Sequence, residues 1–202
     1  ELERVRTRIA TDLHDDIGAN LTRISLLSEV AKQKAENGNG ELLSSIADIA
    51  RESVSSMNDI VWAISPEHDS LLDLTRRMRR HAEEVFSQPD IDLEFNAPLD
   101  SNIQLDVGTR RDVLLIFKEA VSNAAKHSDC TKVEINFSLE HSILKLQIKD
   151  NGKGFSLDSE FDGQGLRSMT RRAESLGGKL KINSGDGTSV EFVMNLKKEI
   201  SV

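Results

Sequence analysis

The most informative segment for the fold is Lys118-Glu119-Ala120-Val121-Ser122-Asn123-Ala124-Ala125-Lys126-His127. The apolar run Val113 to Phe117 precedes it, so we predict a helix over residues 110–127. Glu119, Asn123 and the Lys126-His127 pair recur at steps of four and three, which puts them on one face of that helix. Such a row of polar groups on an apolar helix is typical of a binding site, with a merely solvated helix face as an equal alternative.

Three glycine-containing motifs follow this helix in the chain. Asp150-Asn151-Gly152-Lys153-Gly154 comes directly after a predicted strand, where ordinary turn chemistry is the alternative interpretation. Asp162-Gly163-Gln164-Gly165-Leu166 opens a helix, and glycines there let backbone N–H groups approach phosphate. Gly187-Thr188-Ser189-Val190 leads into the last predicted strand.

The residue types suggest which ligand such a site would bind. Amide and carboxylate oxygens, as in Asn123 and Glu119, suit Mg²⁺, which keeps several waters when bound to protein. The ammonium group of Lys126 suits phosphate.

In residues 67–202, segments with the apolar spacing of a helix alternate with segments that have the spacing of a strand. Predicted helices cover Leu71–Val85, Arg110–His127 and Gly165–Leu176, the last ending at a Gly177-Gly178 capping signal. Alternating residues predict strands at Ile91–Phe95, Lys132–Leu139, Ser142–Lys149, Lys179–Ser184 and Ser189–Leu196. The fold class is therefore α+β, an α/β sandwich with helices on one face of a mixed sheet.

Residues 1–66 contain two helical apolar stripes, separated by Asn37-Gly38-Asn39-Gly40. They predict an antiparallel helical hairpin, which buries too little apolar surface to be stable alone. We expect two copies to form a four-helix bundle in a homodimer; the alternative is a hairpin packed on its own chain. The stripes are Val5, Ile9, Leu13, Ile17, Leu21, Ile24, Leu27 and Ala31, then Leu43, Ile46, Ala50, Val54, Met57, Val61 and Ile64.

His14 follows the striped residue Leu13, so its imidazole is expected beside the apolar seam and facing water. With an ordinary pKa of about 6.5, much of such an imidazole is neutral and nucleophilic at neutral pH. Asp15 could hold one ring nitrogen and accept a proton. Taken alone, an exposed His beside an acid is more often plain surface.

Composition excludes several classes of protein. The net charge of −8 argues against a general nucleic-acid binder, which needs a basic face. No apolar run exceeds five residues, so we expect no membrane contact within this stretch. A single cysteine, Cys130, excludes a disulfide scaffold and fits a reducing compartment. The chain opens Glu1-Leu2-Glu3-Arg4 without Met, from which we expect a piece of a longer protein.

The motifs in this order resemble the sensor histidine kinases of two-component systems, over essentially the whole chain. The match is to the His-Asp phosphoacceptor subfamily that pairs with LuxR/NarL-type response regulators. Residues 1–66 resemble the dimerisation and histidine phosphotransfer domain, and residues 67–202 the GHKL-type ATP-binding domain. Residues 119–127, 150–154 and 163–165 are similar to its N, G1 and G2 boxes.

The resemblance implies roles residue by residue. His14 would accept the phosphoryl group with Asp15 as its base, and Glu119 would act as polariser of the nucleophile or of a metal-bound water. Asn123 would hold Mg²⁺. The other implied ATP contacts are those of the adenine end (Asp150, Gly152, Gly154 and Thr188, the last through its hydroxyl) and those of the phosphate end (Lys126, His127, Gly163, Gly165 and Leu166).

The implied partners are a second copy of the chain and the receiver domain of a response regulator, with the chain in the cytoplasm and its parent protein linked to the membrane.

One position departs from the family pattern. Members with strong phosphatase activity have Gln or His five residues after the phosphoacceptor, where this chain has Ala19. Two alternatives remain: an anti-sigma-type serine kinase of the same ATPase class, and a dimeric scaffold without catalysis.

Overall fold

A computed structural model describes residues 24, 26, 27, 30, 31, 40–64, 69–97, 103–155 and 164–196. The chain divides into two compact units, Glu1–Ser65 and Pro66–Val202. Helices and strands alternate along the second unit, so the predicted α+β class is confirmed.

In the first unit, helix α1 spans Gly40–Ile64 and confirms the second predicted helical pattern. Before it, Ile24, Leu26, Leu27, Val30 and Ala31 are helical; the loop residues 37–39 lie outside the described ranges. The buried residues of α1 differ from the predicted stripe and include Ile49, Ile60 and Ala63, whereas the stripe residues Met57 and Val61 are exposed. Met57 and Val61 therefore form an exposed apolar pair on this helix.

The second unit contains a five-stranded sheet in the order β1-β2-β3-β5-β4. β1 pairs with β2 in parallel, and the other neighbours are antiparallel, so the sheet is mixed as predicted. The strands are β1 (Asp92–Asn96), β2 (Lys132–Glu140), β3 (Ile143–Asp150), β4 (Lys179–Gly185) and β5 (Gly187–Asn195).

In the described part of this unit, three helices accompany the sheet: α2 (Leu71–Val85), α3 (Val107–His127) and α4 (Gln164–Ser175). Helix α3 begins before the predicted residue 110, because Asp106 caps it by accepting a hydrogen bond from the Thr109 N–H at 3.1 Å. Helix α4 ends in the predicted glycine cap: the N–H of Gly178 donates to the Ala173 carbonyl and that of Gly177 to the Glu174 carbonyl.

One face of the sheet forms the core with the helices. Every second residue of the three central strands is buried, as period-two alternation requires. In register across β2, β3 and β5, one row is Ile135, Ile148 and Val190, and the next is Phe137, Leu146 and Phe192. The opposite face carries ion pairs such as Lys145–Glu191 at 2.6 Å, so it faces solvent. This one-sided burial places the helices on one face, as predicted.

Candidate functional site

The site is built around Asp150, the last residue of β3 and a member of the buried face of the sheet. Its carboxylate Oδ1 accepts hydrogen bonds from the backbone N–H of Gly152 at 2.9 Å and of Thr188 at 3.2 Å. No other described residue donates to this carboxylate. A buried carboxylate needs such donors to offset the loss of its hydration, and both donors lie on one oxygen, which leaves Oδ2 for a ligand.

Gly187 brings β5 unusually close to Asp150. It has a φ of +98°, and a Cβ built on it would lie 2.2 Å from the Asp150 carbonyl oxygen. Only glycine fits there, because any side chain would strain the backbone and collide with β3. The next residue, Thr188, reaches Asp150 through its backbone N–H, whereas the family resemblance implied its hydroxyl. A role for that hydroxyl therefore stays a prediction.

The loop after β3 runs against the end of α3 and the end of β4. A Cβ on Gly152 would stand 2.1 Å from the carbonyl oxygen of Ser128, which follows the last helical residue, His127. Gly154 has a φ of +63° and lies just as close to Gly185, since a Cβ there would meet its carbonyl oxygen at 2.3 Å. The glycines thus let the loop approach two neighbouring backbones.

Two polar side chains hold this loop to the segment between α3 and β2. The Asn151 Oδ1 accepts from the N–H groups of Thr131 at 3.0 Å and Lys132 at 2.9 Å. The Lys153 ammonium donates to Asp129 at 2.8 Å, and this hydrogen bond and charge lower the pKa of the exposed Asp129 carboxyl. No role for Asn151 is predicted from the sequence, although its position directly after Asp150, in a turn motif that favours Asn, is a signal for one.

The remaining predicted residues lie on α3 and α4. Gly165, near the start of α4, lies directly against Glu119: a Cβ on it would stand 1.9 Å from Glu119 Oε1. Asn123 is half-buried one turn further along α3, and Lys126 and His127 are exposed in its last turn. Leu166 is half-buried on α4.

Helix α3 contacts both parts of the predicted site, the loop after Asp150 and the start of α4. The Asp150 loop contacts the end of α3 at Ser128, and α3 carries Glu119 and Asn123 back toward Gly165. Predicted residues at three separate places in the chain are brought together in this way. His14, Asp15, Ala19 and Gly163 lie outside the described residues.

The described residues fit a nucleotide with its metal better than a metal alone. They contain no cluster of three or more His, Cys, Asp or Glu side chains that could hold a metal ion. Magnesium, however, is commonly bound through one or two protein oxygens with phosphates and waters completing its shell. Asn123 beside Glu119 can supply such oxygens, and the start of α4 offers backbone N–H groups to phosphate.

Two family models match the chain on either side of a short central segment. Residues 5–69 match the family described as "Histidine kinase", and residues 108–198 match "Histidine kinase-, DNA gyrase B-, and HSP90-like ATPase". The chain belongs to the sensor histidine kinases. The second match covers the site around Asp150 and Glu119, and it identifies that site as part of an ATP-binding domain.

Sequence relatives agree with this assignment. "Sensor histidine kinase LiaS" of Bacillus subtilis is 28% identical over 192 residues, which cover 92% of this chain and 52% of that protein. "Sensor protein VraS" of Staphylococcus epidermidis is 28% identical over 207 residues, covering 98% of this chain and 57% of that protein. The chain thus spans about half the length of these curated relatives.

Comparison with solved structures supports the histidine kinase fold. The "Erythrobacter litoralis EL346 blue-light activated histidine kinase" aligns with a TM-score of 0.63 at 17% identity, over 96% of this chain and 62% of that one.

Within the described residues, no helix is both long enough and apolar enough to cross a bilayer.

Proposed function

We propose that this chain is the kinase core of a two-component sensor: it transfers the γ-phosphoryl group of ATP to His14 and then to an aspartate of a response regulator. The observation that carries the proposal is the buried Asp150 carboxylate, held through one oxygen at the end of the central strand of an ATPase-type sheet. The family and the relatives support the activity.

At the adenine end, the free oxygen of Asp150 is suited to accept from the exocyclic amine of adenine. Guanine has a carbonyl at that position, so a carboxylate there disfavours GTP. Gly152 and Gly154 let the loop after Asp150 pack against the backbones of Ser128 and Gly185, which fixes the loop next to the proposed adenine position. Thr188, whose backbone N–H already fixes Asp150, is the residue from which a second adenine contact would come.

At the phosphate end, Gly165 and Leu166 lie in the first turn of α4, whose backbone N–H groups would bind phosphate oxygens. Asn123 would hold Mg²⁺ together with phosphate and water, and Lys126 and His127 would add charge at the end of α3. Gly163 would contribute backbone at the same place. Mg²⁺ bound there would neutralise the negative charge that develops on the phosphate during transfer.

The transfer itself needs one nucleophile and one proton acceptor. A neutral ring nitrogen of His14 would attack the γ-phosphorus; an N–P bond forms, the bond to the ADP oxygen breaks, and ADP leaves. The other ring nitrogen would pass its proton to Asp15. Glu119 would polarise the reacting groups from α3. In the second step an aspartate of the receiver domain attacks the same phosphorus and regenerates His14.

The decisive experiment labels the chain with γ-³²P-ATP and tests the acid stability of the product. Phosphohistidine is lost in acid, whereas the phosphoserine of an anti-sigma-type kinase survives, and a scaffold incorporates no label. We expect acid-labile label that His14→Gln abolishes while ATP binding remains. Persistent label in His14→Gln would contradict the assignment of the phosphoacceptor.

Asp150→Asn is the complementary variant. Asparagine keeps an acceptor oxygen for the N–H groups of Gly152 and Thr188, so the fold should survive. It places an NH₂ group where the adenine amine must donate, and losing a bond to a charged acceptor costs about 1.5–3 kcal/mol. ATP affinity should therefore fall at least tenfold. Unchanged ATP affinity would show that Asp150 does not recognise adenine.

We also propose that the first unit forms the homodimer. Leu26, Met57 and Val61 are large apolar residues with exposed fractions of 66%, 42% and 57% in the isolated protomer. Met57 and Val61 are one turn apart on α1 and so form a stripe that a second copy can cover. Light scattering should give a dimer for the chain and for Val61→Leu, and a shift toward monomer for Val61→Glu. A monomeric unmodified chain would refute the proposal.

The partner of the second step is a response regulator of the LuxR/NarL type, and the kinase core would act in the cytoplasm as part of a membrane-linked sensor. The family of residues 5–69 and the sensor kinases among the relatives support both statements. Phosphoryl transfer to a panel of purified receiver domains tests the first: the partner should be phosphorylated within seconds, and the others slowly.

A further inference from the structure

Two contacts between α3 and α4 are separated by the same number of residues on both helices. At one end, Gly165 lies against the Glu119 carboxylate. At the other, the Arg172 guanidinium reaches the Asp112 carboxylate at 3.5 Å. Glu119 is seven residues after Asp112, and Arg172 is seven residues after Gly165, so the two helices run antiparallel with their contacts two turns apart.

Asp112 is the centre of a buried ionic cluster. Its side chain is 1% exposed, and its Oδ1 accepts from Arg111 Nη2 at 2.8 Å and from Arg111 Nε at 3.0 Å. Arg172 Nη1 approaches the same oxygen, while the Ser175 hydroxyl donates to Oδ2 at 3.1 Å. One carboxylate on α3 therefore binds two residues of α4 with its two different oxygens.

Such a cluster sets the position of one helix along the other. A buried carboxylate is costly unless its oxygens are paired, and apolar contacts between helices tolerate sliding far better than a charged pair does. The apolar contribution of α4 to the core is small, since Met169 and Ala173 are its only buried residues. A shift of α4 by one turn would move Arg172 and Ser175 about 5 Å from Asp112.

We propose that Asp112 and Arg172 are positioning residues for the phosphate end of the ATP site. They lock the register of α4 on α3 and thereby hold Gly165, and the N–H groups that start α4, at Glu119. Neither residue needs to touch the nucleotide. This inference rests on the proposed function, because it assigns the start of α4 to the phosphates.

Arg172 gives the cleaner test, because removing Asp112 would leave the guanidinium groups of Arg111 and Arg172 facing each other in the core. The full chain is titrated with ATP and with adenosine, using NMR to reach millimolar affinities. Four forms are compared: the unmodified chain, Arg172→Gln, Arg172→Lys and Arg171→Gln. Arg171 is the exposed neighbour on α4, so its variant makes the same change of charge at a position outside the cluster.

We expect Arg172→Gln to weaken ATP binding about tenfold, since small displacements of binding groups have effects of this order or larger. Adenosine affinity should stay unchanged, because β3 and β5 hold Asp150 independently of α4. Arg172→Lys should recover part of the loss, and Arg171→Gln should bind both ligands normally. If Arg172→Gln fails to fold, Arg172→Lys serves as the test, with a smaller loss that is again selective for ATP.

Two results would overturn the inference. Equal weakening for ATP and adenosine would show a general structural role, and unchanged ATP affinity in a folded Arg172→Gln would show no role at all. Failure of the proposed function is distinguishable, because the unmodified chain itself would then not bind ATP.

Discussion

Gly165 on α4 lies directly against the Glu119 carboxylate of α3, and a methyl group in place of its hydrogen would stand 1.9 Å from Glu119 Oε1. The conflict is with the mobile end of a side chain rather than with backbone. Gly165→Ala should therefore displace the carboxylate, while the helix itself gains from alanine's better helical propensity.

We accordingly predict that Gly165→Ala lowers the rate of His14 phosphorylation by about ten- to a hundredfold. The free energy of unfolding should change by less than about 1 kcal/mol, because the gain in helix propensity offsets the side-chain shift. Radiolabel incorporation and urea denaturation measure the two effects. A fully active Gly165→Ala would mean that the position of Glu119 does not matter for transfer.

Alanine substitutions at three glycines distinguish the cost of backbone strain from the cost of a steric clash. Gly187 combines a φ of +98° with a contact to the Asp150 carbonyl, Gly177 has a φ of +67° and open space, and Gly185 has open space without positive φ. We predict that alanine destabilises most at Gly187, by about 1 kcal/mol at Gly177, and least at Gly185. Only the Gly187 variant should also weaken ATP binding. Equal urea midpoints for the three variants would contradict this order.

Asn151 should contribute to stability more than its exposure suggests. Besides accepting two backbone N–H groups, its amide donates to Thr131 Oγ1 at 3.0 Å. Asn151→Ala removes all three bonds and should cost about 1–2 kcal/mol of unfolding free energy. Asn151→Asp keeps the acceptors, and the Thr131 hydroxyl can turn to donate, so it should cost less. Thermal unfolding of both variants provides the comparison.

Asp129 and Lys153 give a local pH dependence. Because the pKa of Asp129 is lowered by Lys153, the pair stabilises the loop above the ordinary pKa of an aspartate, and this contribution is lost as the pH falls through the lowered value. In Lys153→Met the pKa of Asp129 should rise toward its ordinary value, as followed by carboxyl NMR. Global stability should change little, because both side chains are exposed. An unchanged Asp129 pKa would show that the pair does not form in solution.

Ala19 predicts weak phosphatase activity toward the phosphorylated regulator. A methyl group cannot orient the water that attacks an aspartyl phosphate, and in the predicted helix Asn20 would be turned 100° away from that position. The regulator should therefore decay slowly with the chain and ADP, and faster with Ala19→Gln. Rapid decay with the unmodified chain, unaffected by Ala19→Gln, would show that this position has another role.

Much of the fold is predictable from sequence, because hydrophobic periodicity and the residues that cap helices or form turns are local signals. The predicted strands agree with the observed ones within a few residues, as Lys132–Leu139 against Lys132–Glu140 illustrates. Helix α3 begins at Val107 rather than at the predicted Arg110, because Asp106 caps it. Arg110, Arg111 and Asp112 look like surface residues in the sequence, yet all three are buried. Helical periodicity identifies a face but cannot tell which charged residues will find partners inside the fold.

The family, the order of the elements and the candidate residues from Glu119 to Thr188 can be predicted from the sequence, since residue type and spacing are encoded along the chain. Contacts between distant segments, by contrast, depend on the tertiary structure. The hydrogen bond from Thr188 to Asp150 exists because β5 pairs with β3 in one register. The Asp112–Arg172 contact joins residues sixty positions apart, and helix packing alone brings them together. Such contacts depend on how layers pack, which no local pattern specifies.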